Sequence, residues 1–205
     1  MCSQFARTAE SSFRYTQLIV PHSEVYSMIC MRQRILYLAD FVIVPVTIVV
    51  LANVAGLTRV PFVLAGFAVW TLAEYLLHRF GLHWFLPGLR LHQPHHDHPG
   101  DIGVERSSLS TPMIACPIGI VLMAAVGVND GAALMTGLLS GYLAFIVVHH
   151  AVHRWTIEGN SWLYAAKLRH ITHHHFDHCN YGVTTAFWDI VFRTNAVVER
   201  RPLSK

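Results

Sequence analysis

The chain has 205 residues, 53% of them hydrophobic and only 13% charged, with a formal net charge of +3 at pH 7. So apolar a composition excludes an ordinary soluble domain and fits the membrane class. The small charge, carried by scattered basic residues, excludes nucleic acid as a partner.

The first 34 residues contain no continuous apolar run of the signal-peptide kind. They are read as an N-terminal cytosolic segment, with a first spanning helix that directs insertion without cleavage. Four apolar stretches follow, at 35–57, 61–77, 111–128 and 131–148. Each approaches the roughly 20 residues that cross a bilayer. Only Thr58-Arg59-Val60 separates the first two and only Asn129-Asp130 the last two, which predicts two antiparallel hairpins. Pro45 and Pro117 fall inside spans, where membrane helices tolerate a kink.

This threading brings the histidine-rich segments out on one side, together with fourteen of the fifteen Lys and Arg residues, leaving Arg59 opposite. The positive-inside rule makes that side cytoplasmic. The predicted fold is therefore all-α: an integral membrane domain over 35–205, with four transmembrane helices in two hairpins under a cytosolic histidine-rich helical cap. The cap is assigned to 78–110 and 149–205. Within it, Trp162 to Lys167 and Phe187 to Phe192 read as helices that lie at headgroup level or as core packing of the cap.

Fourteen of fifteen histidines fall in two clusters where hydrophobic segments end. The first reads His78-x4-His83, then His92-x2-His95-His96 and His98. The second reads His149-His150-x2-His153, then His170-x2-His173-His174-His175 and His178. On a helix, His92, His95 and His96 share a face, as do His170, His173 and His174, and His149 with His153. His78 and His83, five apart, do not share a face on a straight helix, so Gly81 is expected to end the second span between them. Neutral imidazoles suit iron, copper, nickel or zinc. Ten of them on four converging segments beside a bilayer point to a polynuclear metal site. His98, His150, His175 and His178 are read as supporting or solvent-facing.

Glu74, one turn before His78, is a candidate to accept a hydrogen bond from a ligand's free ring N–H. The alternative is an interfacial Glu paired with Arg79 or Arg154. Asp177 and Asp189 rank below it as supporting carboxylates. The four cysteines have no metal-site spacing and read as free thiols.

The string Glu74-Tyr-Leu-Leu-His78-Arg-Phe-Gly-Leu-His83, followed by His92-x2-His95-His96, His149-x3-His153, His170-x2-His173-His174 and the tail Tyr181 to Asp189, resembles the fatty acid hydroxylase and sterol desaturase superfamily. The resemblance covers roughly residues 70–195. It implies a membrane oxygenase with two metal ions, usually taken to be iron, that activates dioxygen against an unactivated C–H bond of a lipid. It also implies the ligand set His78, His83, His92, His95, His96, His149, His153, His170, His173 and His174; Glu74 is the catalytic candidate on its own reading as the hydrogen-bond partner of a ligand ring. Zinc is a possible substitute for iron in purified protein. One departure is Ile146, where many members carry an aspartate three residues before the histidine that His149 matches. His98-Pro99-Gly100 is similar to a cytochrome b5 haem motif, but its domain is missing around it, so a separate electron-transfer protein is implied.

The leading expectation is hydroxylation of a fatty acyl chain. A carotenoid hydroxylase or a sterol desaturase would use a similar site. From another class, a metal transport or storage protein is the alternative, although a transporter should place ligands near the bilayer midplane and these histidines lie at the span ends.

Overall fold

The computed structural model describes residues 23–85, 92–97, 99, 110–159 and 161–196. Within them every regular element is helical. In chain order they are α1 (Ser23–Ala55), a 3-10 turn (Leu57–Arg59), α2 (Val60–Leu76) running into a π-helical segment (Leu77–Phe85), α3 (Gln93–Asp97), α4 (Ser110–Val126), α5 (Val128–Arg154), α6 (Trp162–His175) and α7 (Phe187–Val191). Among the described residues, three helical stretches are long and apolar enough to cross a membrane: Tyr37–Ala55, Leu57–His83 and Val128–Arg154. At 17 residues α4 is apolar but shorter. Large apolar side chains such as Val42, Val49, Leu64, Ile114 and Val121 stay uncovered. A surface of that kind is costly in water and at home in lipid. The chain is a membrane protein.

The first helix is described from Ser23, and its membrane-length apolar part, Tyr37–Ala55, falls within the expected 35–57 stretch. Both hairpin turns are made by glycines with left-handed backbone, Gly56 (φ 78°) and Gly127 (φ 90°), a conformation that side chains disfavour. Arg59, the one cation expected on that side, donates from Nε to Asp130 Oδ1 at 2.5 Å and from Nη1 to the Ala55 carbonyl at 3.1 Å. One guanidinium thus ties the two turns together at the end remote from the histidines.

The central helix is α5, packed by α1, α2 and α4. Lipid offers no hydrophobic drive between helices, so close van der Waals contact must supply the association. Small residues permit it. A Cβ on Gly137 would collide with the Val63 carbonyl oxygen, and one on Gly66 with the Leu134 carbonyl oxygen. A buried carboxylate adds a polar knot: Asp40 Oδ2 accepts from Thr111 Oγ1 at 3.1 Å and from Tyr142 OH at 2.8 Å, joining α1, α4 and α5. Pro45 and Pro117 sit inside α1 and α4.

On the histidine side, α6 packs on the end of α5 through Val148, Val152, Ala166 and Val183. The side chain of Ser161 caps it, accepting from the Tyr164 N–H at 3.2 Å. Trp188 anchors α7 on α2 by donating from Nε1 to Thr71 Oγ1 at 3.0 Å. Ala166 and Asp189 are buried while Trp162, Phe187 and Ile190 are exposed, so each segment packs the cap with one face and turns an apolar face outward.

Gly81 does not end the helix. The chain continues as π-helix from Leu77 to Phe85, where hydrogen bonds span five residues instead of four. The wider turn brings His78 and His83 to the same side, with ring centroids 5.2 Å apart.

Candidate metal centre

All ten histidines singled out in the sequence converge. Ring nitrogens of His78, His83, His92, His96 and His173 lie within 4.8 Å of one another, and those of His95, His149, His153 and His170 form a second group within the same limit. His174 lies between the groups: its Nε2 is 3.0 Å from His170 Nε2 and its ring is 4.4 Å from that of His96. The motifs do not map one to one onto the groups. At the short helix α3, His92 just before it and His96 within it go to the first group and His95 to the second. Likewise α6 sends His173 to the first and His170 to the second. One helical turn therefore serves both groups, and the two are adjacent.

Several rings have their tautomer set by the backbone. His78 Nδ1–H donates to the Tyr181 carbonyl at 2.6 Å, and His173 Nδ1–H donates to the Cys179 carbonyl at 2.8 Å. Each neutral ring then has only a lone pair at Nε2 to offer inward. The inward nitrogens crowd together: His78 and His92 Nε2 atoms are 3.1 Å apart, His83 and His173 3.2 Å, His95 and His149 3.0 Å, and His153 and His170 2.7 Å. His95 Nδ1, His170 Nδ1 and His174 Nδ1 are buried with no partner among the described residues. So many lone pairs facing one another are mutually repulsive without an electrophile, and neutral imidazole nitrogen is a donor for divalent metals. The residues fit metal ions.

Electrostatics keeps these rings neutral. Burial, then the neighbouring His153, His96 and Arg154, holds His95 at about 3. Burial pushes His173 down to about 2 and His174 to about 3, and carries His92 and His170 well below the ordinary histidine range. His96 is lowered by the same cause. Neutral rings are the metal-binding form.

Glu74 does not act as expected from its spacing. Its Oε1 accepts the Val183 and Thr184 N–H groups at 2.7 and 2.9 Å, and its Oε2 accepts Thr184 Oγ1–H at 2.5 Å. Its bonds go to that loop, not to a histidine ring, Arg79 or Arg154. Asp189, ranked below it from the sequence, is fully buried and accepts the Tyr181 and Gly182 N–H groups at 2.9 and 2.8 Å. Four consecutive amides, 181 to 184, are thus held by two carboxylates. The strap they form presents the Tyr181 carbonyl to His78. Asn180, in left-handed backbone (φ 54°), precedes it and clamps the chain by accepting the Ala196 N–H on its side-chain oxygen at 2.8 Å. Asn180, Tyr181 and Thr184 were missed as functional positions, although the tail that carries the family resemblance contains Tyr181 and Thr184 and begins directly after Asn180.

The spare histidines stay outside the groups. His150 Nδ1 meets Tyr37 OH at 3.0 Å, His175 Nδ1–H donates to the Ile171 carbonyl at 2.9 Å, and His178 is exposed beside Asp177. His98 lies outside the described residues. Ile146 is buried, so an apolar side chain packs at the position where the resemblance implied an aspartate.

Comparisons with known proteins agree with this geometry. A family model for fatty acid hydroxylase matches residues 63–194. The chain is 29% identical over 152 residues to a fatty acid 2-hydroxylase of Rattus norvegicus, covering 67% of this chain and 40% of that protein. It is 30% identical over 138 residues to the dihydroceramide fatty acyl 2-hydroxylase FAH2 of Arabidopsis thaliana, covering 63% and 58%. The chain thus spans 40% to 58% of the length of these relatives. The solved structure of full-length scs7p, in which the hydroxylase domain is visible, superposes with a TM-score of 0.65 at 25% identity, covering 84% of this chain and 69% of that one. The matched region takes in every histidine of both groups and the carboxylate-held strap, and the chain belongs to the fatty acid hydroxylase family.

Proposed function

We propose that this protein is a di-iron hydroxylase that inserts one oxygen atom from dioxygen into an unactivated C–H bond of a membrane lipid, with a fatty acyl chain as substrate. The observation that carries the reading is the pair of adjacent imidazole groups built on helix ends at the border of an apolar helical bundle. One iron would be held by His78, His83, His92, His96 and His173 and the other by His95, His149, His153 and His170, with His174 between them. Iron at these positions supplies the dioxygen activation that such a bond requires.

The chain's own groups do the rest. The Tyr181 and Cys179 carbonyls hold ring tautomers, and Asp189, through the Gly182 N–H of the same peptide unit, and Glu74, through Val183 and Thr184, are positioning residues for the Tyr181 carbonyl. The apolar bundle, with α4 as a fourth span, admits an acyl chain from the bilayer and keeps water away. Helix ends bearing the histidines, α6 and α7 form the cytosolic cap. That orientation is supported by the Lys and Arg distribution, and electrons come from a separate carrier protein. Fatty acyl 2-hydroxylation, which the relatives' names state of them, is the first activity to seek.

The test is lipid analysis of cells that express the chain, grown under labelled dioxygen, beside cells that express His96→Ala. An acyl lipid that gains one labelled oxygen only with the intact chain supports the reading. Bound iron with no oxygenated lipid and no oxygen consumption would overturn it and favour metal transport or storage.

A further inference from the structure

Arg154 is the last residue of α5 and directly follows the histidine-group member His153. Its Nε and Nη2 atoms are buried and have no hydrogen-bond partner among the described residues, and no ion pair engages it there. Arg169, the neighbour of His170 on α6, differs: its Nε is also unpartnered, but Asp189 acts on its charge. Arg154 as a whole is half-buried, but its Nε and Nη2 N–H groups form one edge of its guanidinium fork, and buried donors without an acceptor cost free energy. Arg154 is close enough to His95 to act on its ring. The local structure nevertheless fixes the residue in place. Lys167 Nζ donates to the Trp155 carbonyl at 2.8 Å, which pins the chain just past Arg154.

Depth supplies the second observation. The 27 residues of α5 span roughly 40 Å, more than the roughly 30 Å of hydrocarbon. Its far end therefore reaches headgroup level. Trp155 is 52% exposed there, as befits an aromatic residue at the interface. At that depth the abundant anions are the oxygens of lipid head groups.

Building on the acyl-lipid reading above, we infer that Arg154 is the receptor for an anionic head group, a carboxylate or phosphate at the end of the substrate's acyl chain. Its planar fork suits either oxyanion. An anion on this edge of the fork supplies the missing acceptor and fixes one end of the lipid beside the histidine groups. The chain thereby selects acidic lipids over neutral amides of equal length.

The experiment is equilibrium binding to the purified full-length protein in a neutral glycoside detergent, with palmitate, hexadecyl phosphate, palmitamide and inorganic phosphate as probes. The intact protein should bind palmitate or hexadecyl phosphate at least about tenfold tighter than palmitamide, the range of a charge-assisted hydrogen bond. Which of the two wins identifies the head group. Arg154→Gln should bring the anionic probes down to the palmitamide value and leave palmitamide itself unchanged. Should that variant fail to fold, Arg154→Lys keeps the charge, removes the fork and should lose part of the preference. Equal binding of palmitate and palmitamide by the intact protein overturns the inference without any variant. So does a preference that survives Arg154→Gln, or inorganic phosphate competing as well as hexadecyl phosphate, which would make this a soluble-anion site. Binding is read without turnover, so absence of hydroxylated product would count against the enzyme reading and leave these arms intact.

Discussion

Replacing Glu74 by Ala removes the acceptor for three hydrogen bonds, from Val183 N–H, Thr184 N–H and Thr184 Oγ1–H. It also strands two amides at a place with little access to water. Each unsatisfied buried group costs about 1–3 kcal/mol, so the strap should lose about 2–6 kcal/mol of its restraint. Glu74→Gln keeps the shape and one acceptor oxygen but loses the charge, a cost of about 1 kcal/mol per bond. A loosened strap no longer presents the Tyr181 carbonyl to His78 Nδ1. Partners that orient a metal-ligating histidine are typically worth about 10–100-fold in metal affinity. Iron affinity and thermal unfolding in detergent should therefore fall in the order wild type, Glu74→Gln, Glu74→Ala, and Asp189→Asn on the same strap should resemble Glu74→Gln. If Glu74→Ala unfolds at the wild-type temperature and binds iron with wild-type affinity, the strap does not position His78.

Three further outcomes are expected. Protein purified gently from iron-supplied cells should carry close to two metal ions per chain by elemental analysis, and His96→Ala or His174→Ala should lower that value; a wild-type value of one or less after anaerobic iron loading contradicts the dinuclear site. His95, His173 and His174 titrate at about 3, 2 and 3 when folded, against 6.5 for an unperturbed ring, so the unfolded chain binds more protons between these limits. Stability and metal retention should therefore be complete above about pH 6.5 and decline progressively below it, measured as unfolding temperature and bound metal against pH. Gly137→Val should lower the unfolding temperature by pushing α2 and α5 apart at the Val63 carbonyl, a cost of about 1–3 kcal/mol or more, while Gly159→Ala, where a Cβ meets open space but φ is 88°, should cost less.

The sequence by itself settled which side chains meet. The clustering of histidines where apolar runs end is a local property, and it was enough to select the ten convergent rings and to set aside His150, His175 and His178. Apolar run length likewise revealed a helical membrane protein, with turns displaced by only a few residues to the glycines that make them.

What only the tertiary structure decided depends on contacts distant in the chain. His92 and His95 lie three residues apart at the start of α3, yet they join different groups because rings from the π-helical segment, α5 and α6 approach that turn from two sides. Straight-helix geometry separated His78 from His83, whereas the π-helical segment reunites them. Glu74 was noticed for its nearness to His78, but its bonds go to residues 109 and 110 positions away. A carboxylate's partner is set by which amides the fold leaves without acceptors, and no local pattern in the sequence records that.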